Sequence, residues 1–239
     1  MSGAYHSPMS QPPFPTPEVA ADPDAPSQML EGPAGAIEAA VEYPEGAARP
    51  VVAVLCHPLP TEGGTMHNKV VTMAARALRK CGATTVRFNF RGVGDSEGAF
   101  DDGRGELEDL RTVVAWVREQ RPEHQLWLCG FSFGAYVSLR GAVELAADAV
   151  ISIAPPVGRS WDFSNVQPPA VPWLVIQGDA DEVVDANEVA AWVEKMPEPP
   201  ELVRMPEAGH FFHRRLIDLR GAIKHGIRTW LPPAQGANG

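Results

Sequence analysis

Short apolar runs alternate with helical patterns along most of this chain, and this alternation is the feature that most restricts its fold. Apolar runs rich in β-branched and aromatic residues occupy positions 51–57, 84–90, 126–131, 149–154, 172–177 and 201–205. Between them, apolar residues recur at helical spacing, as at Leu107, Leu110, Val113 and Val117. Such runs suit strands buried on both faces, and their alternation with helices is typical of a parallel sheet covered on both sides. We therefore predict an α/β fold with functional side chains at the carboxyl ends of the strands.

The two ends of the chain differ from this alternating region. Residues 1–35 contain eight prolines and only scattered apolar side chains, which predicts a disordered N-terminal tail. Residues 36–231 form the predicted domain, and residues 232–239 form a short C-terminal tail. A first strand near 36–44 is expected to pair antiparallel with the strand at 51–57.

Charge and composition argue against several classes of protein. The net charge is −10, but residues 1–48 hold seven acids and no Lys or Arg, so the remaining chain has 23 acids against 20 bases. A nearly neutral body with an acidic segment repels phosphate backbones, which argues against a nucleic-acid partner. No apolar run approaches the roughly 18 residues of a membrane span, and we expect no secretory signal. Three cysteines without metal-ligand spacing fit reduced thiols in a cytoplasmic protein, and the oligomeric state is left open.

Gly130, Ser132 and Gly134 form a G-x-S-x-G pattern between an apolar strand and a helical segment. A serine on such a sharp strand-to-helix turn adopts strained backbone angles, and small residues two positions before and after it prevent clashes. The turn exposes the hydroxyl above the sheet, at the positive end of the following helix. We therefore interpret Ser132 as a candidate nucleophile on a nucleophile elbow.

A serine hydroxyl needs a base and an orienting acid, and two later loops contain such residues. The loop after the predicted strand at 172–177 contains Asp179, Asp181 and Asp185, and the loop after the strand at 201–205 contains His210 and His213. Both loops follow the serine in the chain order that this architecture requires. Asp185 suits the N-cap of the next helix, and His213 suits a surface or capping role. These patterns leave the choice between Asp179 and Asp181 open.

Three motifs resemble those of the α/β-hydrolase superfamily. The stretch GDADEVV at 178–184 matches the acid loop G-x-x-D-x-V-V at Asp181, and GHFF at 209–212 matches the catalytic Gly-His pattern at His210. The stretch RGVGDSEG at 91–98 matches the family's R-G-x-G-x-S-x-G motif, which follows an earlier strand. This resemblance implies that Asp181 is the acid.

Within the superfamily, the stretches HPLPTEGGTMHNKVV and GFSFGAYVSLR are similar to a group of small bacterial hydrolases that lack a cap domain. Members of this group are generally described as carboxylesterase-like or of unassigned substrate. The resemblance covers residues 36–231 and implies an α/β-hydrolase fold with a catalytic triad of Ser132, His210 and Asp181. The chain departs from the group at Leu59 and His67, where the group more often has a histidine and an acid.

The oxyanion formed during acyl transfer needs two backbone N–H donors near the serine. Phe133, the residue after the nucleophile, is the first expected donor. The second should come from the loop after the strand at 51–57, where Pro58 has no N–H and Leu59 is the next residue. Alternatively, Leu59 is not an oxyanion donor and only forms part of the pocket wall. For His57, a structural hydrogen bond is favoured over substrate binding.

No cofactor or metal is expected. Gly92 and Gly94 begin a dinucleotide-like pattern, but Glu97 stands where its third glycine should be. The chain also lacks a G-x-x-x-x-G-K-[ST], an H-E-x-x-H and a C-x-x-C pattern.

We expect a serine hydrolase that cleaves carboxylic esters of small soluble molecules through an acyl-enzyme. A thioesterase, amidase or peptidase with the same triad, and a non-catalytic binding protein on this fold, are the alternatives. The connection at 155–171 is too short for a cap domain, which predicts an open site and a preference for short acyl chains. Trp161 and Phe163 either form an apolar rim of that site or hold the connection against the body.

Overall fold

The computed structural model describes residues 10–236, and an eight-stranded sheet forms its centre. The strands are β1 (Gln28–Gly32), β2 (Gly35–Glu42), β3 (Val51–Cys56), β4 (Thr84–Phe88), β5 (Gln125–Phe131), β6 (Ala149–Ile153), β7 (Trp173–Gly178) and β8 (Glu201–Met205). Their spatial order is β1-β2-β4-β3-β5-β6-β7-β8. Strands β3 to β8 run parallel, whereas β2 is antiparallel to β4 and β1 is antiparallel to β2. The predicted, mostly parallel sheet is confirmed.

Helices cover both faces of this sheet, as the sequence predicts. They are α1 (Pro17–Ala21), α2 (Lys69–Lys80), α3 (Arg104–Gln120), α4 (Phe133–Ala142), α5 (Ala186–Glu194) and α6 (Leu216–Ile227), with a short 3-10 turn at Pro60–Glu62. Apolar side chains of α3, α4 and α5 pack on one face in one buried cluster. Those of α2 and α6 pack on the other face in a second cluster. The strands between them are buried on both sides, which explains their continuous apolar runs.

The strand order reverses next to β3, and this places the functional loops. From β3 the chain crosses to β4 on one side and then returns to β5 on the other. Ligands of open α/β sheets bind beyond the carboxyl ends of the strands at such a reversal. Ser132 directly follows β5, and Leu59 lies in the loop after β3.

The prediction of a disordered tail at 1–35 is wrong for the residues that the structure describes. Residues 10–35 include α1 and β1, and the Phe14 side chain is 8% exposed. The ring of Phe14 packs edge-on against Trp116 of α3, with 4.7 Å between ring centroids. A few apolar residues are enough to order this segment, because they pack against an apolar surface formed by residues far away in the sequence. Residues 1–9 of the predicted tail lie outside the described residues.

The expected pairing of the first strand with 51–57 is also wrong. Strand β2 pairs with β4, and both edges of β3 are occupied by the parallel strands β4 and β5. The link between β2 and β3 passes beyond β4 rather than forming a hairpin. It is held at the end of α2, where Glu45 N–H donates to Arg79 O at 3.1 Å.

The described part of the predicted C-terminal tail lies against the body. Residues 232–236 contain no helix or strand, but Gln235 N–H donates to Ala48 O at 2.7 Å and the Arg49 guanidinium donates to Pro232 O. Residues 237–239 lie outside the described residues. Cys56 and Cys129 are buried in the sheet, and Cys81 is half-buried at the end of α2.

Candidate active site

Ser132 lies on the sharp turn between β5 and α4. Its φ of 54° and ψ of −120° are strained for a residue with a side chain, at a typical cost of about 1–3 kcal/mol. The turn is held to the sheet because Ser132 N–H donates to Ile153 O at 2.8 Å. A Cβ atom at Gly130 would overlap Gly134 O, and one at Gly134 would overlap Cys56 O. The two glycines therefore allow the close packing that presents the serine.

His210 joins the serine to a carboxylate. Its Nε2 lies 3.0 Å from Ser132 Oγ, and its Nδ1 lies 2.8 Å from Asp181 Oδ2. A carboxylate only accepts, so Nδ1 carries the proton and the Nε2 lone pair faces the serine hydroxyl. The His210 residue is 3% exposed, and its ring contacts the rings of Phe131 and Phe211, with 5.2 and 5.0 Å between ring centroids. These contacts fix the tautomer and the direction of the imidazole.

The surroundings of Asp181 favour the ionised form of its carboxyl group. Burial alone raises the pKa of a carboxyl, but hydrogen bonds from His210 and from the Val184 and Val183 N–H groups outweigh it, so the pKa of Asp181 is lowered. Both N–H groups donate to Oδ1 at 2.8 Å, and Gln177 Nε2 donates to Oδ2 at 3.0 Å. The carboxylate is thereby held in one orientation toward His210.

The other candidates have different partners. The Asp179 carboxylate accepts from Arg204 Nε at 2.6 Å, at the protein surface. Asp185 caps α5, as predicted, by accepting from Asn187 N–H. His213 is exposed. Among these residues, Asp181 and His210 are the ones that hydrogen bonds connect to Ser132.

Within residues 10–236, two backbone N–H groups in the loops after β5 and β3 lack an acceptor. Phe133 N–H is at the first position of α4, and Leu59 N–H precedes the 3-10 turn. Neither donates to another atom of residues 10–236. Both belong to loops at the carboxyl ends of neighbouring strands, β5 and β3. They are the two donors that the sequence predicts for an oxyanion.

Two residues that support the site, Gln177 and Glu182, were not predicted from the sequence. Gln177 lies inside β7 and reads as an ordinary strand residue, yet its amide supports Asp181. Glu182 accepts from His210 N–H at 3.2 Å and so steadies the histidine loop. Only the position of Glu182 next to the acid hints at this contact. Gln177 had no such hint, because its role depends on how the loop after β7 folds back.

No domain covers this site in the described structure. The connection between β6 and β7 contains no helix or strand. Trp161 in this connection packs against Phe133 and Tyr136, with ring centroids 4.9 and 5.4 Å apart, and Phe163 lies 5.3 Å from Trp192. Both aromatic residues therefore hold the connection against the body. At the site itself, the Phe211 side chain is 52% exposed.

A charged cleft lies next to Asp181. It has a volume of about 450 Å³ and is lined by charged side chains that include Arg159, Asp179, Glu182, Asp185, Glu188 and Arg204. Within the described residues, no cluster of three or more His, Cys, Asp or Glu side chains has an arrangement that could hold a metal ion. No helix in that part of the chain is long and apolar enough to cross a membrane.

A strand–serine–helix turn, with a histidine and an aspartate on loops after later strands, is the arrangement of α/β serine hydrolases. A hydrolase family model described as serine aminopeptidase S33 matches residues 52–170. An uncharacterized protein of Rickettsia prowazekii is 34% identical over 213 residues, which cover 85% of this chain and 89% of that protein.

Two solved structures are similar over most of the chain. A Xanthomonas campestris protein, described as an α/β serine hydrolase without a lid, is 60% identical, with a TM-score of 0.86 over 94% of this chain and 100% of that one. An α/β serine hydrolase homologue from Coxiella burnetii is 46% identical, with a TM-score of 0.81 over 84% of this chain and 96% of that one. The chain belongs to the α/β serine hydrolases and, within them, to those without a lid.

Proposed function

We propose that this hydrolase cleaves carboxylic esters of small molecules through an acyl-enzyme on Ser132. The observation that carries the proposal is the chain of hydrogen bonds from Ser132 Oγ through the His210 ring to Asp181. The loops after β5 and β3 add the N–H groups of Phe133 and Leu59, which have no acceptor within residues 10–236. In this arrangement one group supplies the nucleophile, one moves the proton, and two donors receive the developing charge.

Each step follows from one of these groups. His210 Nε2 removes the Ser132 hydroxyl proton while Oγ bonds to the ester carbonyl carbon, and the carbonyl oxygen becomes an oxyanion held by Phe133 and Leu59 N–H. The C–O bond to the alcohol then breaks, and His210 gives its proton to the departing oxygen. A water molecule repeats the sequence on the acyl-enzyme and releases the acid and free Ser132. Asp181 stabilises the imidazolium that forms twice in each cycle.

The surroundings of the serine favour small esters. An ester makes modest demands on a site, because an alkoxide is a much better leaving group than the nitrogen of an amide. The short, closely packed β6–β7 connection leaves the site open, so we propose no activation at a lipid surface. The half-exposed ring of Phe211 supplies one small apolar contact. These features support a preference for acetyl or butyryl over palmitoyl esters.

A second candidate is aminopeptidase activity, as in the description of the matching family model. The observation that favours it is the charged cleft beside Asp181, whose walls include Glu182, Asp185 and Glu188. Carboxylates at that position would attract the free α-amine of a peptide. The same cleft also contains Arg159 and Arg204, so its acidic character is partly offset.

Two measurements test the proposal. A fluorophosphonate probe should label the unaltered chain and fail to label Ser132→Ala, which distinguishes a hydrolase from a binding protein. Initial rates on matched ester, thioester, anilide and aminoacyl-anilide substrates should then be highest for the short-chain ester. Faster cleavage of the aminoacyl anilide would replace the ester proposal by the second candidate. A preference for long-chain emulsified lipid would contradict the open site.

A further inference from the structure

We infer that His57 is a positioning residue for the oxyanion site: it fixes the Pro58–Leu59 peptide so that Leu59 N–H faces the substrate oxygen. The inference rests on the proposed function and adds a residue that the triad and the two donors leave out. It starts from a histidine that is completely buried.

Both ring nitrogens of His57 have backbone partners. Nδ1 lies 2.7 Å from Pro58 O, and Nε2 accepts from Phe90 N–H at 3.0 Å. A carbonyl only accepts and an N–H only donates, so these partners require a proton on Nδ1 and a lone pair on Nε2. Burial lowers the pKa of His57 to about 4, and the hydrogen bond to Pro58 opposes this only in part. The ring is therefore neutral at pH 7, in the one tautomer that fits both partners.

The geometry of the peptide unit transmits this contact to Leu59. In a trans peptide the C=O and N–H bonds point in opposite directions from one plane. No peptide bond is cis in the described part of the chain. By holding Pro58 O on one side, the His57 ring turns Leu59 N–H to the other side, where the described structure offers it no acceptor.

The remaining contacts of the loop do not fix this plane by hydrogen bonding. Leu59 O accepts from Gly64 N–H at 3.0 Å and from Glu62 N–H at 3.1 Å, but those bonds orient the following peptide. Pro58 has no N–H, so the preceding peptide offers no donor. Within residues 10–236, His57 makes the one hydrogen bond that Pro58 O receives.

The Nε2 side of the His57 ring is hydrogen-bonded to a backbone segment that other hydrogen bonds hold in place. Phe90 N–H, which holds Nε2, lies between two residues whose own N–H groups are bonded. Asn89 N–H donates to Glu38 O at 2.9 Å, and Arg91 N–H donates to Asp109 Oδ2 at 2.9 Å. The Arg91 and Asp109 side chains also form a buried ion pair at 2.9 Å. The ring thus spans from a fixed backbone position to the peptide that it orients.

The test replaces His57 by Phe and by Gln in the full chain. Phe keeps an aromatic ring but removes both hydrogen bonds, whereas Gln keeps one donor and one acceptor. We expect His57→Phe to lower kcat for a short ester roughly 10- to 100-fold with little change in KM, since losing an oxyanion donor entirely costs about 10²- to 10³-fold. His57→Gln should recover part of this loss.

A trifluoromethyl ketone supplies a readout that a merely structural role would not move. It adds to Ser132 and forms a tetrahedral oxyanion, so its Ki should rise by the same factor by which kcat/KM falls. Phe14→Ala, which loosens a distant part of the fold, is the control and should leave both quantities unchanged per folded molecule.

Two outcomes would overturn the inference. In the first, a folded His57→Phe variant binds the ketone and turns over ester within twofold of the unaltered chain. In the second, which applies if His57→Phe does not fold, His57→Gln changes kcat and ketone affinity by unrelated factors. Failure of the proposed function looks different, because the unaltered chain itself would then resist fluorophosphonate labelling.

Discussion

The N-terminal arm, residues 10–27, and the elbow around Ser132 are attached to the body of the protein by different kinds of interaction. The arm is held by burial of Phe14 and by single hydrogen bonds to proline carbonyls, such as Trp116 Nε1 to Pro12 O at 2.7 Å. The elbow consists of a strained serine, flanking glycines and a polar chain of side chains. In the proposed mechanism the elbow carries the chemistry at some cost in stability, whereas the arm contributes stability alone.

The largest effect on turnover is expected at Ser132, and it distinguishes the elbow from the arm most clearly. Ser132→Ala should lower ester turnover on the order of 10⁴- to 10⁶-fold, because the hydroxyl supplies the bond to the substrate. The free energy of unfolding should change little, since the substitution keeps the Cβ atom and the turn. Turnover and urea unfolding of the same preparation check both parts. Near-normal turnover by a folded variant would remove Ser132 from the mechanism.

A second comparison lies within the acid loop. Asp181→Asn should reduce kcat about 10⁴-fold, because an amide no longer stabilises the imidazolium and favours the wrong tautomer of His210. Asp179→Asn changes an exposed partner of Arg204 and should alter kcat only a few-fold. The two variants are matched in size and chemistry. A larger loss for Asp179→Asn would reverse the assignment of the acid.

On the side of the arm, Phe14→Ala should lower the free energy of unfolding by about 3 kcal/mol while kcat per folded molecule stays unchanged. The lost contacts are the edge-on packing against Trp116 and the Arg121 guanidinium, which lies 4.8 Å from the Phe14 ring centroid. Phe14→Leu keeps most of the apolar volume and should cost less. A change in unfolding free energy below about 0.5 kcal/mol would mean that the arm is not held through this residue.

Acid should destabilise the protein through the region of the candidate active site, where His57 is buried as a neutral ring. The unfolded chain binds a proton on His57 below its ordinary pKa of 6.5, whereas the folded chain binds it only below about 4. Between these values the unfolded state holds more protons, so stability falls as the pH falls, by about 3 kcal/mol over the window.

Urea unfolding at a series of pH values measures this contribution. The curve for His57→Gln should lose less stability on acidification than that of the unaltered chain, and the curve for Phe14→Ala should run parallel to the unaltered one. If the His57→Gln curve also runs parallel, His57 is protonated equally in both states and the buried neutral ring is contradicted.

The same contrast explains which parts of the molecule the sequence predicts. The elbow is local: Gly130, Ser132 and Gly134 lie within five positions, between a strand and a helix that are each visible as a pattern. The order of the loops that carry Ser132, Asp181 and His210 also follows from the alternation of strands and helices. Choosing Asp181 over Asp179 needed the resemblance to a known family, because both follow the same strand.

Long-range partners could not be predicted. Phe14 is an isolated aromatic residue in a proline-rich stretch, and nothing near it in the sequence indicates a contact with Trp116. Strand β2 pairs with β4, which comes later in the chain than β3. The link from β2 to β3 therefore has to pass beyond β4. The role of His57 likewise requires Phe90 N–H, which a loop 33 positions away supplies.

The arm's distant contacts have a consequence for the order in which the protein is made. Trp116 Nε1 bonds to Pro12 O across 104 positions, so the arm leaves the ribosome long before its partner helix. At about 5–20 residues per second, the arm waits roughly 5–20 seconds for that helix. During this interval an apolar segment would offer a surface for aggregation. The prolines and acids that make the arm read as disordered keep it hydrated until α3 exists to receive it.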